Sequence, residues 1–278
     1  MKQRIISSLV GLLILFVVFA FFETIVLNIA VALIIVLALH ELFTAAGERH
    51  TTISLIAVAF GAIIPFFKTG MLERALPAVC FLFAFVLLCA LLLHHRDIRA
   101  ERVGFIFCFT ILIAFSMTCF VYLRDIFGMT IGFYAVLVTL VGAWMSDTGA
   151  YFFGMLFGKH KLAPEISPKK TVEGAVGGAV TALLCQALVA LGYSLYCARS
   201  GHPIGINLWL LLGLSPLISV VSIIGDLSAS VMKRQFGIKD FGHIMPGHGG
   251  VLDRFDSVLL VIPLVYNLFL YLPMAWLV

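Results

Sequence analysis

The stretch from Ser222 to Asp256 carries most of the chain's candidate chemistry. Ser222, Asp226 and Ser230 recur every four residues, so on a helix they share one face, and Lys233 continues it. Asp226 thus lies on a polar stripe of an otherwise apolar run. A central aspartate costs about 2.5–3.5 kcal/mol on membrane-insertion scales, and such residues usually face a cavity or a partner. After Lys233 and Arg234 the chain turns polar and glycine-rich through Gly237, Gly242, Pro246, Gly247, Gly249 and Gly250. Asp253, Arg254 and Asp256 follow at the head of the last apolar run. Asp253 and Asp256 are three apart and can lie on one helical face. Hard carboxylate oxygens beside flexible backbone suit Mg²⁺, which typically takes one or two carboxylates plus substrate phosphates. Lys233, Arg234, Lys239 and Arg254 offer positive charge for those phosphates. An interhelical hydrogen bond would account for Asp226 alone, and helix capping for one of the other two aspartates. Neither accounts for the whole stretch, so a metal–phosphate site is the favoured reading. His248, between glycines, reads equally as a phosphate or base contact and as loop surface, while His243 reads as structural or interfacial.

A second segment runs from Ser146 to Gly174. Asp147 sits in the apolar run that ends in Gly154 and Gly158. Ser167-Pro168-Lys169-Lys170-Thr171 is a basic loop, and Glu173 follows just before Gly174. Thr ahead of a helix with Glu nearby is also an ordinary capping pattern, and the paired lysines would serve equally as a membrane-edge anchor. Gly174 and Gly178 have the small-xxx-small spacing that lets helices approach closely. Several familiar sites are missing. There is no G-x-x-x-x-G-K-[ST] loop and no G-x-G-x-x-G after a strand. His40-Glu41 begins like a zinc-peptidase helix, but the second His is absent. No Ser-His-Asp arrangement and no D-G-x-x-A-R pattern of the CDP-alcohol phosphotransferases can be assembled.

The elements that must position these residues follow from composition. Of 278 residues, 62% are hydrophobic and 12% charged, and Phe occurs 25 times. A soluble domain has about 45–50% apolar and about 25% charged residues, so this chain lacks the charge to cover a water-facing surface. Disorder is excluded by the same arithmetic. Long apolar runs, rather than alternating segments of about ten residues, argue against an outer-membrane barrel. The six Cys form no C-x-x-C pair and mostly sit inside apolar runs, where they read as small hydrophobes rather than disulfide or zinc ligands.

The fold class is therefore all-α, a polytopic integral membrane protein. Apolar runs at 5–22, 24–43, 52–67, 75–93, 103–123, 130–153, 174–196, 208–232 and 255–277 predict about nine transmembrane helices. The first run is long for a signal peptide and is read as a span. With only Glu23 separating them by charge, the first two runs read as a tight helical hairpin, with one long helix as the alternative. With the N-terminus in the cytoplasm, Lys68, Arg74, Arg124 and Arg199 fall on the far side and the rest of the 18 Lys and Arg on the near side. That is the asymmetry expected of cytoplasmic loops, and it puts both polar segments on the cytoplasmic face. Residues 1–123 read as nearly pure hydrocarbon spans with short loops. Residues 124–278 hold the carboxylates near membrane depth, the glycine clusters and the polar segments, and read as the catalytic part. No internal repeat favours an inverted-repeat transporter.

The pattern S-x-x-K-R-x-x-x-x-K-D-x-G-x-x-x-P-G-H-G-G-x-x-D-R-x-D, residues 230–256, resembles the signature of the phosphatidate cytidylyltransferases (CDP-diacylglycerol synthases), with no departure within it. I-S-P-K-K-T-V-E-G, residues 166–174, is similar to that family too, and more loosely to the CTP-dependent polyprenol and phytol kinases. The resemblance covers the C-terminal half; the N-terminal half agrees only in being several hydrophobic spans.

The resemblance implies a membrane enzyme that converts phosphatidic acid and CTP to CDP-diacylglycerol and pyrophosphate. It also implies Mg²⁺ dependence with a second cation in view, a homodimer in the bacterial inner membrane, and no nucleic-acid partner. Carried over by position, Asp226, Asp253 and Asp256 lie at the metals and form the catalytic set with Lys233 and Arg234. Ser222, Ser230, Lys239, Asp240, His248, Gly249, Gly250 and Arg254 shape the phosphate and nucleotide site. Asp147, Lys169, Lys170 and Glu173 support it or bind substrate. Two other classes compete. A CTP-dependent lipid kinase would share Asp147 and the S-P-K-K-T segment without needing the stretch from Lys233 to Asp256. A cation-coupled transporter would use buried aspartates but no phosphate-binding loop.

Overall fold

The computed structural model describes residues 2–49, 51–67, 69–245 and 249–278. Its helices are α1 (Lys2–Ala20), α2 (Ile25–Ala45), α3 (Thr52–Ile63), α4 (Thr69–Leu93), α5 (Ala100–Phe157), α6 (Val172–Arg199), α7 (Leu208–Gln235), α8 (Leu252–Phe255) and α9 (Val258–Tyr271). A 3-10 turn, Ile64–Phe66, extends α3. Four short strands complete the chain: β1 (Lys161–Ala163), β2 (Ser167–Thr171), β3 (Ile204–Ile206) and β4 (Ala275–Leu277). Among the described residues five helices are long and apolar enough to cross a membrane: α2, Arg74–Leu93 of α4, α5, α6 and α7. Backbone amides have no water partner inside lipid, so internally bonded helices are what such sequences must form.

The expected runs and these helices differ clearly at the last run. The runs at 103–123 and 130–153 are the two helical segments of α5, separated by a kink at Gly128. There φ is +70°, a left-handed conformation that glycine adopts readily and other residues resist. The runs at 5–22 and 52–67 coincide with α1 and with α3 and its 3-10 turn. The last run, 255–277, is only partly helical: α9 covers Val258–Tyr271, and the chain then pairs as β4 with β3, Ile206 opposite Ala275. Fourteen helical residues reach only about 21 Å, short of a bilayer core of about 30 Å. Between α1 and α2 the chain turns at Phe21–Glu23, and Thr24 caps α2 through its side chain, so the first two runs are two helices rather than one.

The chain divides into two compact units. The first comprises Met1–Asp125 together with Ile238–Asp253. Its core is α2 against α3, where Gly61 leaves room for Ile35 and Leu39. Phe60 stacks on Phe83 at 4.1 Å between ring centroids, and Phe83 in turn on Phe107. Arg124 donates to the Thr24 carbonyl and to Asn28 Oδ1, both at 2.9 Å, and pairs with Asp125. The second unit comprises Ile126–Gly237 and Arg254–Val278. Here α6 and α7 pack along each other, α7 packs on α9, and Tyr134 lies between Tyr193 and Phe269. Gly174 and Gly178 lie against Ala150 and Ser146 of α5, so close that a Cβ at either would strike a backbone carbonyl. This is the close helix approach that their spacing predicts.

Candidate active site

Within the second unit, three aspartates from separate elements converge. Asp147 is carried by α5, Asp226 by α7, and Asp256 by the turn between α8 and α9. Asp256 lies within electrostatic reach of both Asp226 and Asp147. The approach depends on Gly225: a Cβ there would come 2.7 Å from the Asp256 carbonyl oxygen and 3.0 Å from Ser257 Cα. The turn itself answers a sequence expectation. Asp253 and Asp256 do not share a face of one long helix, because α8 is a single turn and the chain breaks at Asp256 and Ser257 before α9.

Each carboxylate has side-chain company. Lys170, on β2, pairs with Asp226 at 2.5 Å. Lys233 Nζ stands 4.0 Å from Asp256, at the outer limit of an ion pair. Ser257 donates its hydroxyl to Asp147 Oδ2 at 3.0 Å, and its amide donates to Asp256 Oδ1 at 2.8 Å. Ser230 donates to Asp226 Oδ1 at 3.4 Å. Ser222 is buried and donates to the Ala143 carbonyl at 3.4 Å, which ties α7 to α5. Three carboxylates thus face two ammonium groups. The donor set is hard oxygen with negative charge in excess, which fits a divalent cation that takes the rest of its ligands from phosphates and water. Among the described residues no three His, Cys, Asp or Glu side chains gather closely enough to ligate an ion by themselves.

The β1–β2 hairpin brings Lys170 to the cluster, and its base is fixed by Glu173. The Glu173 carboxylate accepts the amides of Lys159, at 3.0 Å, and of His160, at 3.2 Å, and contacts the His160 ring at 2.5 Å. Thr171 caps α6 by accepting from the Gly174 amide. Glu173 therefore holds the hairpin to the start of α6 instead of joining the aspartates, and Lys169 on the same strand is exposed. Arg234 is exposed and donates to the Ile166 carbonyl at 3.4 Å. Arg254 is exposed as well; its carbonyl accepts the indole N–H of Trp144 at 3.3 Å.

The remaining signature residues belong to the first unit. There the Asp253 carboxylate, through Oδ2, accepts the amides of Phe241 at 2.8 Å and Gly250 at 3.0 Å. Gly249 has φ +83°, and its carbonyl closes a bridge with the Met245 amide at 3.0 Å. Lys239 is exposed and Asp240 partly so. His248, with Pro246 and Gly247, lies outside the described residues. Two participants were missed from the sequence. Ser257 follows the signature but lies outside its pattern, and only its place beside Asp256 hinted at it. Glu41 was set aside when the zinc-peptidase pattern failed; it accepts the amides of Val251 and Leu252. An acid in an apolar run was the signal for it.

Comparison with known proteins gives the chain named relatives. The chain is similar to the phosphatidate cytidylyltransferase of Staphylococcus saprophyticus, 43% identical over 178 residues, 63% of this chain and 64% of that protein. It is similar to the protein of the same name from Staphylococcus aureus, 46% identical over 134 residues, 48% of each chain. With that from Staphylococcus epidermidis, 48% identity extends over 130 residues, 47% of this chain and 46% of the relative. The match spans about half to just under two thirds of the length of these curated relatives. The sequence model described as the cytidylyltransferase family matches residues 2–272, and the chain belongs to that family.

Proposed function

We propose that this protein is a phosphatidate cytidylyltransferase, which transfers CMP from CTP to phosphatidic acid and releases pyrophosphate. The observation that carries the reading is the convergence of Asp147, Asp226 and Asp256 with Lys170 and Lys233 in a chain of membrane-length apolar helices. The name that the relatives share supports the substrate pair. Phosphatidic acid brings an ionised phosphate, so no strong general base is required. The difficulty is bringing anions together and stabilising the leaving pyrophosphate, which is met by positioning and electrostatics.

On this reading Asp226 and Asp256 hold Mg²⁺, and a second cation has a place because negative charge is in excess. The metal would supply Lewis-acid stabilisation of phosphate charge. Lys233 and Lys170 bind and orient phosphate oxygens, with Arg234 and Arg254 as further cations at the edge. Ser257, Ser230 and Ser222 hold the carboxylates and their helices in place, and Asp147 supports Ser257. Asp253 orders the glycine-rich loop that carries Lys239, Asp240, Gly249 and Gly250. The Lys/Arg asymmetry supports a cytoplasmic face for the site. A bacterial cytoplasmic membrane fits the bacterial relatives, and a homodimer belongs to the same reading.

The test is the fate of label. With purified protein, phosphatidic acid and Mg²⁺, label from α-³²P CTP is expected in the lipid, and added pyrophosphate is expected to return it to CTP. Diacylglycerol or a polyprenol should not replace phosphatidic acid, since each lacks the phosphate nucleophile. Transfer of γ label to an alcohol would show a lipid kinase instead.

A further inference from the structure

Glu41 stands on α2 in the first unit, 3% exposed, in a run that is mostly apolar. It accepts the Val251 amide on Oε1 at 3.0 Å and the Leu252 amide on Oε2 at 2.9 Å. These are donors at the start of α8, where a helix leaves amides without internal partners. The same carboxylate lies so close to Gly242 and Gly250 that a Cβ on either would collide with it. The described loop residues Phe241, Gly242 and 250–252 thus meet two carboxylates. Asp253 ties the Phe241 and Gly250 amides from within the loop. Glu41 ties the two amides that follow Gly250, from about 210 residues earlier in the chain.

We propose that Glu41 is a positioning residue for the signature loop: its carboxylate clamps the Val251 and Leu252 amides and thereby sets where Gly250 and Asp253 stand. This gives the N-terminal helices a part in the reaction that hydrophobic packing alone would not. It also gives Gly242 and Gly250 one shared reason, because only a residue without a side chain leaves space for the clamp. The link to catalysis rests on the cytidylyltransferase reading; the clamp itself does not.

Glu41→Gln probes the clamp with little change of shape. One carboxamide atom still accepts, but its NH₂ group then faces a backbone N–H, donor against donor. The experiment measures amide hydrogen exchange on the full chain in lipid nanodiscs, alongside steady-state turnover of CTP and phosphatidic acid. Exchange at Val251 and Leu252 is expected to rise about tenfold or more in Glu41→Gln, with α6 and α7 unchanged. The ratio kcat/KM for CTP is expected to fall by about tenfold with it, and Glu41→Asp to restore part of both. Gly250→Ala should by itself raise the same exchange. Combined with Glu41→Ala it should add little, because the clashing carboxylate is gone. Where Glu41→Gln does not accumulate as folded protein, Gly242→Ala and Gly250→Ala carry the test through exchange at the same two amides. Unchanged exchange at residues 251 and 252, or strictly additive effects, overturns the proposal. A wild-type protein without CTP turnover would sink the functional reading while the exchange data still judged the clamp.

Discussion

The two units use buried carboxylates in opposite ways. In the first, among the described residues, Glu41 and Asp253 each accept two backbone amides. In the second, Asp147, Asp226 and Asp256 are met mainly by lysine and serine side chains and by one another. An amide partner is fixed by the fold and leaves only if the loop unfolds. An ammonium or a hydroxyl can swing away and be replaced by a cation or a phosphate. The difference separates acids that shape the molecule from acids that are available to a ligand, and it does so more sharply than residue type does.

The comparison is easiest to break at its functional end. Asp226→Asn and Asp256→Asn should each cut turnover by at least about a hundredfold, the scale of losing one preorganised electrostatic group. Folding, followed by detergent-resistant melting, should be little changed. Near-normal turnover by either variant at ordinary Mg²⁺ would move that aspartate into the shaping class. Removal of divalent cations with EDTA should abolish turnover, and Mg²⁺ should restore it; retention of activity without cations would end the metal assignment. Asp253→Asn should be milder in turnover, within about tens-fold, and should loosen Phe241 and Gly250 in hydrogen exchange. A loss as deep as that of Asp256→Asn, without loosening, would place Asp253 among the ligand-binding acids.

Smaller effects sharpen the same contrast. Lys170→Met removes the cation paired with Asp226, and KM for CTP is expected to rise by about tenfold, the worth of one charge-assisted contact. Little change in KM would confine Lys170 to holding the hairpin. Gly225→Ala inserts a methyl group against Asp256 and Ser257. It should cost about 1–3 kcal/mol of stability by overpacking, read as a lower melting temperature, with turnover falling in proportion to the displaced turn. An unaffected Tm would mean that α7 can shift without moving Asp256.

Much of the functional end was legible in the sequence because its spacing is local. Ser222, Asp226, Ser230 and Lys233 fall on α7 with the steps of four, four and three that keep side chains on one helical face. The pairing of Lys170 with Asp226 was not legible, since it depends on a hairpin of three- and five-residue strands too short to show alternation. The same holds for β4, whose Ala275-Trp276-Leu277 continues an apolar run and gives no sign of leaving the helix. Glu41 was visible as an acid among hydrocarbons, but its partners lie some 210 residues away. A hydrogen bond to backbone leaves no mark on the partner's residue type; here the marks were the glycines. Composition made the helices plain, while the length of α9 was hidden because hydrophobicity does not say where a helix stops.

The indole of Trp144 has a practical consequence. It is one of only three tryptophans in the chain, and its N–H reaches the carbonyl of Arg254 in the signature motif. Replacing Trp209 and Trp276 with phenylalanine would leave a single native fluorophore wired to that backbone. Its emission would report any rearrangement at Arg254 in real time, in lipid and without an attached dye. Binding of nucleotide could then be timed separately from the chemistry that follows it.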